Sequence, residues 1–487
     1  MLRVAVVHYH LRPGGVTQVI RHSLAALREE GENACRVVVL TGEPPSDAMP
    51  VPSATVAPFL GYSSSPAPNA RALAAELDAA ARHALGDLPD VWHVHNHALG
   101  KNLAVPALVE QFARDGRRLL LQFHDFAEDG RPANYRMLRE RLSQHDSLRF
   151  SQRLYPQGTH IHYALINERD RRFMSAAGVQ AAQLHDLPNA VSQKDARDAS
   201  EAAALEKRLF LYPARGIRRK NLGEFLLWAA VAEPGDLFAV TRAPQNPHER
   251  PQYDRWAAFA AALGLPAQFS FGETWPGTFD SLLNAAHAIV TTSVAEGFGL
   301  GFLEPFLADR PLVGRKLPEI TDAFERAGLD LAAMYAALRV PLAWVGRDRL
   351  MSEIQRELPR VYADYGRAAD ATQAERAFAA AVSGEMADVG RLNESLQRRV
   401  IERLTRSPEC RAEMLPARLF AGQQADGMIQ RNRRVVEQRF HLREYGRRLR
   451  RIYETVAASP SAPLPALDAD ALLDQFLSPE RFYLLRT

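Results

Sequence analysis

The chain has 487 residues, enough for about three domains at roughly 150 residues each or for two large ones. Its 60 basic and 57 acidic residues give a net charge of +3, which is too balanced to indicate nucleic acid as a partner or a membrane as the main one. Two cysteines exclude a disulfide framework, and the chain lacks both a signal-peptide core and a run of ~20 apolar residues, so we expect a cytoplasmic protein without a transmembrane segment.

Short β-branched runs alternate with helix-length stretches over the first 320 residues, a pattern typical of βα units on parallel sheets. The first series of predicted strands reads RVAVVHYH, CRVVVLTG, VWHVH, RLLLQFH and THIHYALI, with a helix at TQVIRHSLAALREE after the first strand. The stretch SQKDARDASEAAALEK follows LPNAV and has the polar, Ala-rich composition of a linker or surface helix. We therefore predict a first Rossmann-like domain over residues 1–195.

A second series of strands predicts another doubly wound parallel sheet, and it reads RLFLYPARG, DLFAVTR, AQFSFG, HAIVTTS and RPLVGR. From about residue 325 to 435 the pattern is mostly helical, so we predict a second domain over 196–435 with a helical extension. HLREYGRRLRRIYETV has the period of a long amphipathic helix, and an Ala/Pro-rich tail follows it within 436–487. Two such domains are expected to face each other across a cleft, where the carboxyl ends of parallel strands bind ligands.

Polar residues follow the strands of the first domain. Gly14 and Gly15 precede a helix, so their amides and the helix N-terminus are suited to an anion, although a plain tight turn is the commoner meaning of such glycines. WHVHNH raises the question of a zinc site, but alternation along a strand does not suit zinc, and we interpret these histidines as polar groups at the rim of the cleft. His124 and Asp125 follow the next strand, where a histidine can bond a sugar hydroxyl.

Two stretches of the second domain carry charge after strands. ARGIRRKN places Arg215 and Lys220 five residues apart around a turn, an arrangement that suits a diphosphate. SVAEGFGLGFLEPF is too glycine-rich to continue the strand before it, so we predict a loop of exposed amides that carries Glu296. Glu304 then lies in the first turn of a helix, where Pro305 is tolerated.

These stretches together resemble the retaining glycosyltransferase family 4 and its GT-B relatives. The resemblance rests on the glycine loop, HDF, LPNAV, ARGIRRKN, EGFGLGFLE, RPLVGRKLPEIT and the C-terminal helix, in the family's order along nearly the whole chain. It implies the GT-B fold with a C-terminal crossing helix, a nucleotide sugar as co-substrate, and chemistry without a metal or another cofactor. The implied catalytic set is His124, Arg215, Lys220 and Glu296. The implied donor contacts are Gly14, Gly15, Arg215, Lys220, Glu296, Phe298, Gly299, Leu300 and Glu304, with Glu304 on the ribose and Glu296 on the sugar.

The resemblance leaves the base, the sugar, the acceptor and the oligomeric state open. Departures from the family pattern, such as Arg315 and Lys316 before the Pro-Glu turn, put donor and acceptor identity in doubt. Acceptor-side candidates are His10, Arg12, His95, Lys101 and Asp125, a polar and partly cationic set that favours a small polar or glycan acceptor, with a carboxylate or phosphate, over a lipid. We favour positioning over nucleophilic attack for Glu296.

Two other functional classes fit the same pattern. A sugar-nucleotide epimerase or hydrolase on this frame would form product without an acceptor. A non-catalytic sugar-nucleotide-binding protein would tolerate loss of the phosphate cations. The Arg-rich C-terminal helix leaves room for peripheral contact with a membrane surface, although a solvated helix face is the commoner meaning of such a charge pattern.

Overall fold

The computed structural model describes residues 1–31, 35–46, 50–51, 53–63, 69–191, 205–414 and 426–487. The chain forms two compact units. The first contains Met1–Ser192, Asp364–Gly366 and Phe440–Leu477, and the second contains Gln193–Ala363, Arg367–Arg439 and Ser478–Thr487. The domain boundary predicted near residue 195 lies outside the described residues, so its position stays a prediction.

The first unit is built on a parallel sheet with the strand order β3-β2-β1-β4-β5-β6-β7. The strands are β1 (Leu2–His8), β2 (Cys35–Thr41), β3 (Ala54–Val56), β4 (Val91–His95), β5 (Leu119–Phe123), β6 (Ile161–Leu165) and β7 (Leu184–Asp186). The helices between them are α1 (Gly15–Glu29), α2 (Ala70–Leu85), α3 (Ala104–Arg114), α4 (Pro132–Leu138), α5 (Ser147–Leu154) and α6 (Glu168–Ala176). The predicted strands are confirmed, whereas β3 and β7 are too short to show a sequence period.

The second unit contains a parallel sheet with the order β10-β9-β8-β11-β12. Its strands are β8 (Arg208–Arg215), β9 (Asp236–Arg242), β10 (Ala267–Gln268), β11 (Ala288–Thr291) and β12 (Leu312–Gly314). Its first helices are α7 (Leu222–Ala230), α8 (Arg250–Ala262), α9 (Phe271–Thr274), α10 (Phe279–Ala285), α11 (Glu304–Leu307) and α12 (Pro318–Arg326). AQFSFG was expected to be a strand throughout. Only its first two residues are, because Ser270 has a left-handed φ of 55° and α9 begins directly after it.

Residues 325–435 are mostly helical within their described part, as predicted. The helices are α13 (Leu342–Val345), α14 (Arg347–Asp364), α15 (Ala371–Ala381), α16 (Glu394–Arg406), α17 (Pro408–Met414) and α18 (Asp426–Arg439). A small antiparallel sheet, which the sequence analysis missed, pairs β13 (Arg339–Pro341), β14 (Val382–Ser383) and β15 (Met386–Asp388) in the order β13-β15-β14. Strands of two or three residues leave no period to detect.

Two C-terminal helices, α19 (Leu442–Ala458) and α20 (Ala469–Phe476), belong to the first unit although they follow most of the second unit in the chain. One face of α19 joins the core formed by β1 and α1, and it presents Tyr445, Leu449, Ile452, Tyr453 and Val456. Helices α1 and α19 touch at Gly446, where an added Cβ would lie 2.6 Å from the carbonyl oxygen of Ala26. The amphipathic helix predicted here is therefore confirmed.

A buried ion-pair network in the second unit joins the residue after β12 to α7 and β15. The guanidinium of Arg315 donates to Glu224 at 2.7 Å and to Asp388 at 2.6 Å, and Arg315 is only 1% exposed. The hydroxyl of Tyr335 adds a hydrogen bond of 2.8 Å to Glu224. Gly390 leaves space for this guanidinium, because an added Cβ would lie 2.5 Å from Cζ of Arg315. The side chain of Arg315, which departs from the family pattern, is therefore part of the core of the second unit.

We expect Arg315→Met to lower the free energy of unfolding by about 3–5 kcal/mol, because it leaves two buried carboxylates without their cation. Lys316→Met is the matched control. The neighbouring Lys316 makes a partly exposed pair with Glu325 at 2.9 Å, which is worth about 0–1 kcal/mol. Urea unfolding at neutral pH compares the two variants, and equal midpoints would contradict this role of Arg315.

Candidate functional site

Two loops of the second unit meet at the carboxyl ends of the neighbouring strands β8 and β11. A 3-10 turn, Arg218–Lys220, follows β8, and the glycine-rich stretch follows β11. The backbone N–H of Val294 donates to the carbonyl oxygen of Arg219 at 2.9 Å. The hydroxyl of Thr292 donates to the carbonyl oxygen of Lys220, also at 2.9 Å. These bonds fix the glycine-rich stretch beside the basic turn, at the edge of a parallel sheet where ligands usually bind.

Glu296 lies between two cations of that turn. Its Oε1 accepts hydrogen bonds from the Nζ of Lys220 and from the Oγ of Ser293, the latter at 2.6 Å. Its Oε2 accepts a hydrogen bond of 2.9 Å from Nη1 of Arg219, which also donates to the carbonyl oxygen of Ala295 at 2.6 Å. The two cations therefore hold different oxygens of one carboxylate.

The carboxylate of Glu296 is ionised at neutral pH. Burial by itself raises its pKa, but the charges of Lys220 and Arg219 outweigh this effect and lower the pKa to about 2. A carboxylate in this state accepts hydrogen bonds and does not act as a general acid. Because its side chain is only 15% exposed, it presents a localised negative charge in poorly solvated surroundings.

The rest of the glycine-rich stretch forms a tight turn. Gly299 has a φ of +92°, and an added Cβ would lie 2.8 Å from the ring of Phe302, so this position requires glycine. The ring of Phe298 is buried against that of Phe324 in an edge-to-face contact with centroids 5.5 Å apart. Leu300 begins a 3-10 turn, and the exposed Glu304 begins the single helical turn α11. The expected loop with a following helix start is therefore present.

The turn after β8 contributes a contact with Glu296 that the sequence analysis missed. Arg215, a predicted phosphate contact, is exposed at the end of β8, whereas Arg219 makes the ion pair with Glu296. Arg218 faces elsewhere, toward Glu394 at 2.7 Å. The stretch RRK contains three adjacent cations, and no periodic pattern in a 3-10 turn indicates which of them points at a carboxylate on another loop.

In the first unit, Gly14 and Gly15 lie at the exposed start of α1, at the end of the loop that follows β1. The backbone of Gly14 is extended, with φ 174° and ψ 173°, and no side chain caps the helix. The first turn of α1 contains no acidic residue. An uncapped helix start of this kind presents N–H groups to an anion, so the structure is compatible with the predicted role of the two glycines.

The acceptor-side candidates His10, Arg12 and Lys101 gather around Tyr62, which the sequence analysis did not single out. Nε2 of His10 lies 2.9 Å from the hydroxyl of Tyr62, and the ammonium of Lys101 lies 5.7 Å from the centre of its ring. The exposed Arg12 binds Glu43 through two hydrogen bonds of 2.8 and 2.6 Å. Tyr62 is 48% exposed, so this group of residues offers an aromatic ring and cations on the surface of the first unit.

The remaining candidates of the first unit, His95 and His124, form a buried pair. Nδ1 of His95 lies 2.9 Å from Nε2 of His124, and the two rings are stacked. The backbone N–H of His124 donates to Oδ1 of Asn96 at 2.8 Å, and Asp125 pairs with Arg131 at 2.8 Å. Burial lowers the pKa of His124 to about 4, so its imidazole is neutral at pH 7.

The other histidines of WHVHNH lie in the interior of the first unit rather than at an exposed rim. His93 is fully buried between the hydroxyl of Tyr453 at 2.7 Å and Oε1 of Gln122 at 2.9 Å. His97 bonds to the carbonyl oxygen of Leu154 at 2.7 Å. The rim interpretation is wrong for both: His93 lies on β4, which is central in the sheet and buried along its length, and His97 is fully buried in the turn that follows this strand.

The described residues contain neither a metal-binding group nor a membrane-spanning helix. No group of three or more His, Cys, Asp or Glu side chains in these ranges is placed to hold a metal ion. None of the helices in the described part of the chain is long and apolar enough to cross a membrane.

Comparison with known proteins identifies one curated relative, while no protein-family profile matches the chain. Mannosylglucosyl-3-phosphoglycerate synthase of Petrotoga mobilis is 26% identical over 353 residues. The match covers 66% of this chain and 66% of the length of that relative, slightly less than two thirds.

Solved structures match most of the chain. HepE of Anabaena in complex with UDP and glucose superposes with a TM-score of 0.54 and 11% identity, over 93% of this chain and 100% of that one. Sucrose-phosphate synthase from Thermosynechococcus elongatus superposes with a TM-score of 0.53 and 13% identity, over 94% of this chain and 100% of that one. A glycosyltransferase from Rickettsia africae superposes with a TM-score of 0.55 and 10% identity, over 94% of this chain and 99% of that one. With its two parallel sheets, the chain therefore has the two-domain α/β fold of the GT-B glycosyltransferases, as the sequence resemblance implies.

Proposed function

We propose that the protein is a retaining glycosyltransferase that moves a hexose from a nucleotide sugar to a hydroxyl of an acceptor that carries a carboxylate or phosphate. The observation that carries this proposal is the ionised Glu296, held between Lys220 and Arg219 at the carboxyl edge of the second sheet. A fixed carboxylate beside a basic turn is suited to a ligand with sugar hydroxyls next to a diphosphate. The fold shared with HepE, solved with UDP and glucose, supports the same class of donor.

The donor is held by groups of opposite charge. Lys220 and Arg215 bind the diphosphate, and their cations stabilise the negative charge that develops on the leaving phosphate, so that no metal ion is required. Glu296 accepts hydrogen bonds from hydroxyls of the sugar, while the exposed Glu304 accepts them from the ribose. Gly299 keeps the backbone close to the sugar, because its conformation excludes a side chain.

We propose that the transfer proceeds with retention of the anomeric configuration. The departing phosphate is the strongest base near the anomeric carbon, and it takes the proton of the acceptor hydroxyl on the face from which it leaves. Glu296 is fixed by two cations and a hydroxyl, which suits a positioning role better than attack on the sugar. His124 is neutral and offers a hydrogen bond to a sugar hydroxyl.

The acceptor is proposed to be anionic on two grounds. Lys101 and Arg12 lie beside the exposed ring of Tyr62, which provides cations for a carboxylate or phosphate and an apolar face for a sugar, and His10 is within hydrogen-bond distance of the Tyr62 hydroxyl. The curated relative is named for a product in which sugars are attached to phosphoglycerate. A phosphoglycerate with or without an attached sugar is therefore the first acceptor to test.

A screen of UDP-, GDP- and ADP-sugars by thermal shift tests the donor, and we expect one base to raise the melting temperature clearly. Glycerate, 3-phosphoglycerate, glucosyl-3-phosphoglycerate, sugar phosphates and neutral sugars are then compared as acceptors by product formation, with the anomeric configuration read by NMR. Transfer to an anionic acceptor with retention, unchanged by EDTA, is the expected result. Exclusive use of a neutral or lipid acceptor would contradict the proposed acceptor, and product formed without any acceptor would indicate an epimerase or hydrolase.

A further inference from the structure

The pairing of Lys220 with Glu296 has to change when a donor binds. Lys220 donates to Oε1 of Glu296 in the structure. The proposed function assigns the same ammonium to the diphosphate of the donor, which carries more negative charge than one carboxylate. A lysine is a flexible point charge and can turn toward the phosphate. Glu296 then loses one of its two cations at the moment when it has to accept hydrogen bonds from the sugar.

Loss of that cation would favour protonation of Glu296. Its side chain is 15% exposed, and burial is the largest single influence on its pKa, which it raises. A poorly solvated carboxylate without a cation tends to take up a proton. A protonated Glu296 would accept weaker hydrogen bonds from sugar hydroxyls, so something must keep it ionised while Lys220 is engaged elsewhere.

Arg219 is placed to do this, because it binds the other oxygen. Its Nη1 lies 2.9 Å from Oε2 of Glu296, whereas Lys220 and Ser293 bind Oε1. The same nitrogen is anchored by the carbonyl oxygen of Ala295 at 2.6 Å, and the backbone of Arg219 accepts the N–H of Val294. Lys220 can therefore leave without disturbing the bond between Arg219 and Glu296.

We propose that Arg219 is a positioning residue that keeps Glu296 ionised and in place while the diphosphate of a nucleotide engages Lys220. This inference rests on the proposed function. Glu296 accepts hydrogen bonds from Lys220 and Arg219 of the turn after β8 and from Ser293 of its own loop. Tyr212 of β8 contacts both Ser293 and Lys220: its hydroxyl lies 2.9 Å from Oγ of Ser293 and donates to the carbonyl oxygen of Lys220 at 3.2 Å, and the ammonium of Lys220 lies 6.0 Å from the centre of its ring.

The test measures proton uptake when a nucleoside diphosphate binds. UDP, GDP and ADP are titrated by calorimetry at pH 6–8 in two buffers of different ionisation enthalpy, and the nucleotide that binds the wild type is then used with each variant. We expect Arg219→Gln to take up more protons than the wild type, approaching one extra proton per site at pH 6. The extra uptake should disappear in the Arg219→Gln/Glu296→Gln double variant, because no carboxyl remains to be protonated.

Arg218→Gln is the matched control, since this arginine of the same turn faces Glu394, and its proton uptake should equal that of the wild type. Arg219→Lys should restore most of the wild-type behaviour. If Arg219→Gln does not fold, Arg219→Met keeps the apolar stem and removes the same charge. Equal proton uptake by the wild type and the charge-removing variant would overturn the inference, whereas failure of the wild type to bind any of the three nucleotides would overturn the proposed function.

Discussion

Lys220→Ala is expected to lower kcat/KM for sugar transfer by about 100- to 1,000-fold, the usual cost of removing one preorganised group that stabilises a developing charge. The reason is that the ammonium of Lys220 lies at the carboxyl edge of the second sheet, within reach of the loop that carries Glu296. Binding of the nucleotide should weaken as well, because the diphosphate loses a cation. Steady-state kinetics with the donor found in the thermal-shift screen, together with the affinity for the free nucleotide, measures both effects.

Lys207→Ala is the control for that experiment. Lys207 is exposed and precedes β8, so it lies at the opposite end of the strand from the basic turn. Its removal should leave kcat/KM within about twofold of the wild type, since an exposed charge far from the site has little influence in water. Unchanged turnover in Lys220→Ala would show that the basic turn does not bind the donor, and the proposed mechanism would then be wrong.

The first unit is expected to lose stability steeply as the pH falls from 6.5 to about 4. Burial lowers the pKa of His8 and His93 to about 3 and that of His97 and His124 to about 4. Below pH 6.5 these histidines bind protons in the unfolded chain but stay neutral in the folded unit, so a falling pH favours the unfolded state. Each histidine lowers the free energy of unfolding by up to about 1.4 kcal/mol per pH unit in this window. Together the four cost up to about 8 kcal/mol at pH 5, which is comparable to the whole stability of a domain.

Urea unfolding between pH 7 and pH 5, followed through amide protection of β4 and β5, measures this loss. His93→Gln should reduce the slope of stability against pH by about one proton, even if the variant is less stable at pH 7. His83→Gln is the control, because His83 is exposed on α2 and its replacement should leave the slope unchanged. A stability of the first unit that does not change between pH 7 and pH 5 would refute the assignment of neutral buried histidines.

Periodicity and turn chemistry were sufficient to predict most of the fold. Runs such as VAVV and LLL contain only apolar residues, as is typical of strands buried on both faces, and they indicate a parallel sheet. The glycine-rich stretch after β11 could likewise be predicted as a loop, because glycines favour conformations that continue neither a strand nor a helix. Gly299 has such a conformation, with a positive φ. These signals are local, and a single sequence contains them.

Contacts between distant parts of the chain could not be predicted. Arg315 looks like a surface cation in the sequence, and only the folded unit brings it to Glu224 and Asp388. The pairing of Arg219 with Glu296 joins residues 77 positions apart. His93 and Tyr453 are 360 positions apart, so the hydrogen-bond partner of this strand histidine is a tyrosine on a helix near the end of the chain. Local pattern contains no information on such partners.

The placement of α19 in the first unit affects how the protein is made. On a ribosome the N-terminal strands and α1 emerge early, but the face of the core that α19 covers stays open until most of the second unit has been synthesised. The nascent first unit therefore exposes apolar surface around Ile20, Leu24 and Leu27 for much of translation, a condition under which chaperones commonly bind. Expression of residues 1–191 alone should consequently yield an aggregating product, whereas supplying residues 440–477 on the same polypeptide should restore a soluble unit.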